Sequence, residues 1–319
     1  MNTYSQCHGC GLCTLVCPVW QQQGDRRYTP QGHAKALQYQ GDLTAETVFS
    51  CTLCGACAPV CPQKIKLVDF MIELRQQATA TGYGQDIVQA LQRRLAEAQF
   101  SLQGSSHSGT LFLPGAKLVH HENRLHKVLA LLQTQFKPIA TVRDAGVVSA
   151  ALEAGVVIPE SILQRFLVPL REAQQLIVED GILVSQLRNW LPDAKISSLA
   201  LSLSSLRQIR AWLKPTDLYI IESRGYHSLY EQAVLSYNDL QNITGCQLNW
   251  DLQRLAIPTA KTHIPAMHHD TSPNTAQQIQ WILDSGEHKR IVVEDIDDYE
   301  LIHAYTDTPV VYFAELAQI

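Results

Sequence analysis

Eight of the nine cysteines in this chain of 319 residues stand in two copies of one spacing. The copies read Cys7-x-x-Cys10-x-x-Cys13-x-x-x-Cys17-Pro18 and Cys51-x-x-Cys54-x-x-Cys57-x-x-x-Cys61-Pro62. Three thiolates on one tight loop can bind three irons of a cubane, and the fourth iron needs a cysteine from elsewhere. The repeated spacing therefore predicts two [4Fe-4S] clusters and the transfer of electrons.

The fourth cysteine of each motif determines how the two clusters are connected. In two-cluster ferredoxins it ligates the cluster of the other motif. We therefore assign two crossed ligand sets, which are Cys7, Cys10, Cys13 and Cys61 for the first cluster, and Cys51, Cys54, Cys57 and Cys17 for the second. Crossed ligation ties the two clusters into one short electron path, and no further cofactor is predicted.

Two other uses of cysteine fit the pattern less well. A disulfide framework suits a short secreted chain, whereas the polar segment from Met1 to Gln6 predicts no signal peptide here. Zinc sites have four ligands each, so the third cysteine at the same step would be surplus. Thiolate clusters favour a reducing compartment, so we expect a cytoplasmic chain, either free or held on the inner face of the membrane by a partner.

Composition excludes several other classes of function. The formal net charge of -5 is spread evenly, without the basic run that binding to nucleic acid or anionic lipid requires. No apolar stretch reaches the roughly 18 residues of a membrane-spanning helix. No Gly-rich nucleotide-binding motif follows a predicted strand, and no nucleophile motif predicts a catalytic residue.

The elements that position the two motifs are predicted to be mostly helical. A helix is expected near 33–40, and another carries an apolar face from Leu67 towards Gly82. A third, amphipathic helix follows, with Asp86 as its expected N-cap. The next stretch, 101–109, is rich in glycine and serine and is typical of a linker.

Beyond the linker, short β-rich runs alternate with helical patterns, which favours an α/β region built on parallel sheet. Helix caps are expected at Asn123 and Asn274, and a break near Lys214 divides the region into two similar halves. The predicted strands are 110–113, 139–142, 175–178, 218–221, 291–293 and 310–313. The predicted fold class is therefore α+β multidomain, with a ferredoxin domain at 1–100, the linker at 101–109, and α/β repeats at 110–215 and 216–319.

The first hundred residues resemble the α-helical two-cluster ferredoxin domain of heterodisulfide reductase C/D-type subunits. They are equally similar to the iron-sulfur subunits of anaerobic glycerol-3-phosphate dehydrogenase and glycolate oxidase. In several of those proteins two cysteine-rich "CCG" domains follow, and the rest of this chain resembles them without their cysteines. The matching segments are Pro114-Gly115-Ala116, Asp144-Ala145-Gly146, the neighbourhood of Val184, Tyr226-His227-Ser228-Leu229-Tyr230-Glu231, and Asp295-Ile296-Asp297-Asp298-Tyr299.

Side chains outside the motifs are expected to play structural roles. Cys246, the one cysteine after Cys61, is expected to be a small buried hydrophobe. The acidic run Glu294, Asp295, Asp297, Asp298 and Glu300 is expected in a solvated loop. The histidines of two groups are expected outside metal sites, either at the surface or supporting other polar groups: His120, His121 and His126, and His263, His268 and His269 with Asp270.

Motif and resemblance together predict a non-catalytic, electron-transfer iron-sulfur subunit of a multisubunit oxidoreductase. The resemblance implies a flavoprotein dehydrogenase as electron donor and a quinone-linked, iron-sulfur or flavin protein as acceptor. Two alternatives stay open. A heterodisulfide or thiol reductase would need thiols beyond the eight, and a binding or scaffold protein would use its clusters only to stabilise the fold.

Overall fold

The computed structural model describes residues 3–104, 109–137, 139–268, 270 and 272–317. Its α-helices are α1 (Leu12–Leu15), α2 (Pro18–Gln23), α3 (Pro30–Gln38), α4 (Ala45–Phe49), α5 (Leu67–Ala80), α6 (Gln85–Glu97), α7 (Ala116–His120), α8 (Glu122–Gln135), α9 (Ala145–Ala154), α10 (Glu160–Leu167), α11 (Gly181–Trp190), α12 (Leu199–Ser204), α13 (Arg207–Arg210), α14 (Ser223–Ser228), α15 (Tyr230–Thr244), α16 (Thr275–Leu283) and α17 (Ile296–His303). Its strands are β1 (Leu102–Gln103), β2 (Thr110–Leu113), β3 (Ile139–Val142), β4 (Gln175–Val178), β5 (Ile196–Ser198), β6 (Asp217–Ile220), β7 (Gln247–Leu248), β8 (Arg290–Val293) and β9 (Val310–Tyr312).

The strands form two sheets. The first sheet has the order β1-β3-β2-β4-β5, in which only β1 runs antiparallel to its neighbour. The second has the order β7-β6-β8-β9 and is parallel throughout. Strands β2 and β6 are buried along their whole length, as expected where helices cover both faces of a parallel sheet. The chain is thus mixed helix and sheet, with a helical N-terminal part.

The strand predictions are confirmed to within one residue at each of the six predicted positions. The short strands β1, β5 and β7 were not predicted, because β1 and β7 have only two residues each and β5 contains a single apolar residue, Ile196. Strand β1 lies inside the segment expected to be a linker and pairs with β3. Residues 105–108 of that segment lie outside the described residues.

The predicted helices occur at the predicted places, but two of the predicted N-caps are wrong. Asn274 caps α16 by accepting a hydrogen bond from the Gln277 backbone. Asp86 and Asn123 instead lie within the first turns of α6 and α8, which begin after Gly84 and His121. Each residue thus lies two positions after the actual N-cap, where the Asp86 carboxylate still interacts favourably with the helix dipole.

One core connects the helical part to the first sheet, and a second core joins the two sheets. The first core combines residues of the cysteine region, such as Phe49 and Met71, with Leu113 and Val178 of the first sheet. The second core lies between the sheets and includes Phe112 of the first and Tyr219 of the second. The cysteine region and the α/β region therefore share buried side chains.

Helix α11 of the first half packs against α14 of the second half at very short range. A Cβ atom added at Gly181 would lie 2.1 Å from the backbone nitrogen of Gly225. The two helix starts can approach this closely only because Gly181 lacks a side chain. This contact fixes α14 beside the second cysteine motif. Within the described residues, no helix is both long and apolar enough to cross a membrane.

Candidate iron-sulfur site

The first motif folds into a loop that two glycines make possible. Gly9 and Gly11 have φ of 81° and 82°, a region that disfavours residues with side chains. Helix α1 begins directly after Gly11, and α2 begins at Pro18 with Cys17 as its N-cap residue. The glycines therefore turn the backbone around the space that the cysteine side chains face.

The second motif is a series of turns without a regular helix. Gly55 has a φ of 79°, and Leu53 also adopts a positive φ. The backbone nitrogen of Leu53 donates a hydrogen bond to Cys51 Sγ over 3.4 Å. Such N–H to sulfur contacts are typical around iron-sulfur clusters and tune their reduction potentials.

The eight motif cysteines line two separate cavities. Cys7, Cys10, Cys13 and Cys61 line one, and Cys17, Cys51, Cys54 and Cys57 line the other. The fourth cysteine of each motif thus faces the cavity of the other motif. Pro30 and Leu67 line both cavities, so the two spaces are neighbours separated by single side chains.

The donor set fits a cubane better than a single ion. In the described part of the chain, no three His, Cys, Asp or Glu side chains converge tightly enough to hold one metal ion. Four thiols around an enclosed space instead match the ligand set that a [4Fe-4S] cluster requires. The residues present therefore fit two clusters.

The thiols lie in surroundings that disfavour free thiolates. Burial raises the pKa of Cys13 and of Cys54 to about 11, and it raises the pKa of Cys17 and Cys57 as well. The neighbouring cysteines add to the rise, because thiolates repel one another. Positive charge must enter each cavity before four thiolates can coexist there, and iron supplies it on binding.

Helix α3 supports the first loop from outside. Gln31 Nε2 donates to the Gly9 carbonyl over 2.9 Å, and Lys35 Nζ donates to the Cys7 carbonyl over 3.0 Å. Cys10 itself is exposed. The first cysteine group thus lies near the protein surface.

The second loop is covered by α5 and α14 instead. Arg75 donates to the Cys51 carbonyl, and Arg224 donates to the Thr52 carbonyl over 2.8 Å. His227 Nδ1 donates to the Cys54 carbonyl over 2.9 Å. Burial lowers the pKa of His227 to about 4, so this ring is neutral at physiological pH. The sequence reasoning missed the contacts of all three side chains, since only the tertiary fold brings α5 and α14 to the loop.

Comparison with known proteins supports the assignment of the cysteine region. Residues 3–65, which contain all eight motif cysteines, match the 4Fe-4S dicluster domain family. This part of the chain is an iron-sulfur domain. The dicluster domain makes the chain an iron-sulfur protein, and the comparisons support an electron-transfer or oxidoreductase-associated role.

Several curated proteins are similar to part of this chain, and three of them are named for lactate utilization. Lactate utilization protein B of Macrococcus caseolyticus is 36% identical over 118 residues, which is 35% of this chain and 24% of that protein. Lactate utilization protein B of Bacillus thuringiensis and lactate utilization protein B 2 of Bacillus mycoides are each 31% identical over 126 residues, with the same coverage. The match thus spans about a quarter of the length of these relatives. No solved structure matches the chain.

Several segments that resemble the cysteine-rich domains meet at one cavity of about 340 Å³. Gly115, Gly146 and Asp297 line it, at the carboxyl ends of strands in both sheets. Ion pairs line this cavity, and in one of them Lys261 Nζ lies 2.5 Å from an oxygen of Asp295. Tyr230 and Glu231 line a different cleft, beside Gly55 and Cys61. The assignment of two degenerate repeats remains a prediction.

The prediction that the acidic run lies in a solvated loop is wrong for three of its carboxylates. Glu294, Asp295 and Asp298 are buried, because the segment lies at the interior edge of the second sheet. Asp295 caps α17, whereas Glu300 is exposed as expected. Sequence alone could not show this, since a charge run is more often solvated.

The histidine groups have different surroundings. His120 and His126 are exposed, as expected, and none of the described histidines belongs to a single-ion metal site. His263 lies between Asp180 and Asp297, at 3.4 and 3.3 Å. His269 lies outside the described residues. Cys246 is fully buried in the second core, as predicted.

The buried Glu294 should make stability depend on pH. Its carboxylate accepts hydrogen bonds from the hydroxyls of Tyr219 and Tyr237 and from the Glu222 nitrogen, and burial raises its pKa to about 8. The ordinary pKa of a glutamate is about 4.3, and below this pH the raised pKa contributes its full stabilisation of the folded state. This stabilisation is lost as the pH rises through about 8. We expect the free energy of unfolding to fall between pH 5 and 8, as measured by urea unfolding under anaerobic conditions.

Replacement of Glu294 by glutamine provides the comparison. Between pH 5 and 8, the free energy of unfolding of the variant should fall by about 1 to 3 kcal/mol less than that of the parent chain. Part of the slope should remain, because burial also raises the pKa of Glu222 to about 7. An unchanged slope in the variant would show that Glu294 is ionised in the folded protein.

Proposed function

We propose that the eight motif thiolates hold two [4Fe-4S] clusters in crossed sets and that the chain relays single electrons between redox partners. The observation that carries this proposal is the grouping of the cysteines around two neighbouring cavities, three from one motif and one from the other. When bound, the clusters accept and release single electrons without proton transfer. The described residues supply their ligands and a backbone hydrogen-bond donor to one ligand sulfur.

We further propose a flavoprotein dehydrogenase as donor and a quinone-linked, iron-sulfur or flavin protein as acceptor. The relatives named for lactate utilization make lactate the first substrate to test with such a donor. The exposed Cys10 and its surroundings offer one route for electrons to a docked partner. The complex is proposed to lie in the cytoplasm, with any membrane contact made through the partner.

Two measurements test the proposal. The anaerobically purified chain should contain about eight irons, and dithionite reduction should give the EPR spectrum of two interacting centres. In a complex co-purified from the native host, lactate should bleach the cluster absorbance, whereas it should leave the isolated chain unchanged. A measured content of about four irons per chain would contradict the two-cluster assignment.

The alternatives predict other outcomes. A thiol reductase should reduce a disulfide substrate as an isolated chain, although Cys246 is fully buried and burial raises its pKa. A scaffold protein should bind its partner equally well when the clusters are reduced or oxidised, and should pass no electrons. Either result would replace the relay function.

A further inference from the structure

Three buried charged side chains meet where the second cysteine loop contacts the α/β region. Arg75 of α5 is fully buried, Glu153 of α9 is 1% exposed, and Arg224 of α14 is 3% exposed. They come from the helical part and from both halves of the α/β region. Such charges are costly to bury, so they are retained in folded proteins only where pairing or function offsets the cost.

The two arginines bind adjacent backbone carbonyls of the second loop. Arg75 donates to the carbonyl of Cys51 and Arg224 to that of Thr52. Arg75 also stacks on Phe49, with 4.8 Å between the guanidinium and the ring centre. Both cations are therefore held in place beside Cys51, one of the proposed ligands.

Glu153 lies behind the arginines and binds both. Its carboxylate oxygens lie 2.9 and 3.2 Å from the Arg224 nitrogens, and its backbone carbonyl accepts from Arg75. The Thr262 hydroxyl and the His263 backbone nitrogen also donate to it. Arg224 lowers the pKa of Glu153, against the effect of burial, so Glu153 is ionised at neutral pH.

Arg75, Glu153 and Arg224 together carry a net charge of +1 in the interior beside the second loop. The cluster of charged side chains continues to His263, which lies 3.5 Å from Glu153 and 3.4 Å from Asp180. The cation that binds the first loop, Lys35, is only half-buried, so solvent screens its charge. Reduction of a cluster adds one negative charge and no proton. A nearby fixed positive charge stabilises the reduced form, and a negative charge destabilises it.

We propose that Arg75 and Arg224 raise, and Glu153 lowers, the reduction potential of the cluster held by Cys51, Cys54, Cys57 and Cys17. The α/β region would then set the potential of a cluster to which it contributes no ligand. These are positioning and tuning residues, since they touch the ligand loop and not the substrate of any partner. The inference rests on the proposed ligation of the second cluster.

Potentiometric EPR titration of single variants tests the proposal. Arg224→Gln should move the midpoint potential of one centre to a more negative value and leave the other unchanged. We expect about a tenfold change in the equilibrium constant for its reduction, which is about 59 mV for one electron. Glu153→Gln should move the same centre in the opposite direction.

Two further variants separate charge from structure. Arg224→Lys keeps the charge and should restore a potential near that of the parent chain. The double variant Arg224→Gln with Glu153→Gln removes a neutral pair and should also lie near the parent. Arg290→Gln is the matched control, because Arg290 pairs with buried Asp217 at the opposite, amino edge of the second sheet.

The outcomes distinguish this inference from the function on which it rests. A parent chain with one centre or none contradicts the proposed ligation. If both centres are present and neither potential changes in Arg224→Gln or Glu153→Gln, the tuning role alone is contradicted. The tuning role is also contradicted if the two variants shift the potential in the same direction. If the affected EPR centre is lost in both variants, Arg224 and Glu153 hold the second loop in place, and the tuning role is overturned.

Discussion

Replacement of Cys17 by serine is expected to abolish the cluster whose other ligands are Cys51, Cys54 and Cys57. A serine hydroxyl stays protonated at neutral pH and is a poor ligand for iron. Because Cys17 lines the cavity of the second motif, the loss should fall on that motif's cluster. Iron should drop from about eight to about four per chain, with one EPR signal remaining.

Matched serine variants decide whether ligation is crossed. The remaining EPR spectrum of Cys17→Ser should equal that of Cys54→Ser, and the spectrum of Cys61→Ser should equal that of Cys10→Ser. If each motif bound its own cluster, Cys17→Ser would instead match Cys10→Ser. Cys246→Ala serves as the control and should keep both signals, since Cys246 lies in the second core.

Replacement of Glu153 by alanine is expected to destabilise the fold by about 3 to 5 kcal/mol, because it leaves the buried Arg224 without its anionic partner. The Thr262 hydroxyl and the His263 nitrogen would lose their acceptor as well. Unfolding in urea under anaerobic conditions measures the loss. The α/β region should separate from the second cysteine loop in the same transition.

The control for that experiment is Glu160→Ala. Glu160 also lies on a helix of the first half but is exposed, and its carboxylate accepts a hydrogen bond from the side chain of Gln164. Its removal should change the free energy of unfolding by about 0.5 kcal/mol or less. Equal losses in the two variants would mean that the interior pair contributes nothing beyond helix stability.

The sequence determined the chemistry of this protein. Ligand spacing is local, so Cys7 to Cys17 and Cys51 to Cys61 identified the iron-sulfur region directly, and the dicluster domain match covers the same residues. The six predicted strands were equally visible, because each is rich in β-branched, aromatic or other apolar residues. Crossed ligation came from a general rule for ferredoxins, and no property of the spacing alone required it.

Tertiary structure alone decided what surrounds the second motif. Arg224 and Glu153 lie 71 positions apart in the sequence, and Arg224 and Thr52 lie 172 apart, so no local pattern links them. Likewise, the burial of Glu294 depends on which edge of the second sheet it occupies. Spacing specifies which atoms can bind iron, whereas the charges beside them depend on long-range packing that brings distant helices together.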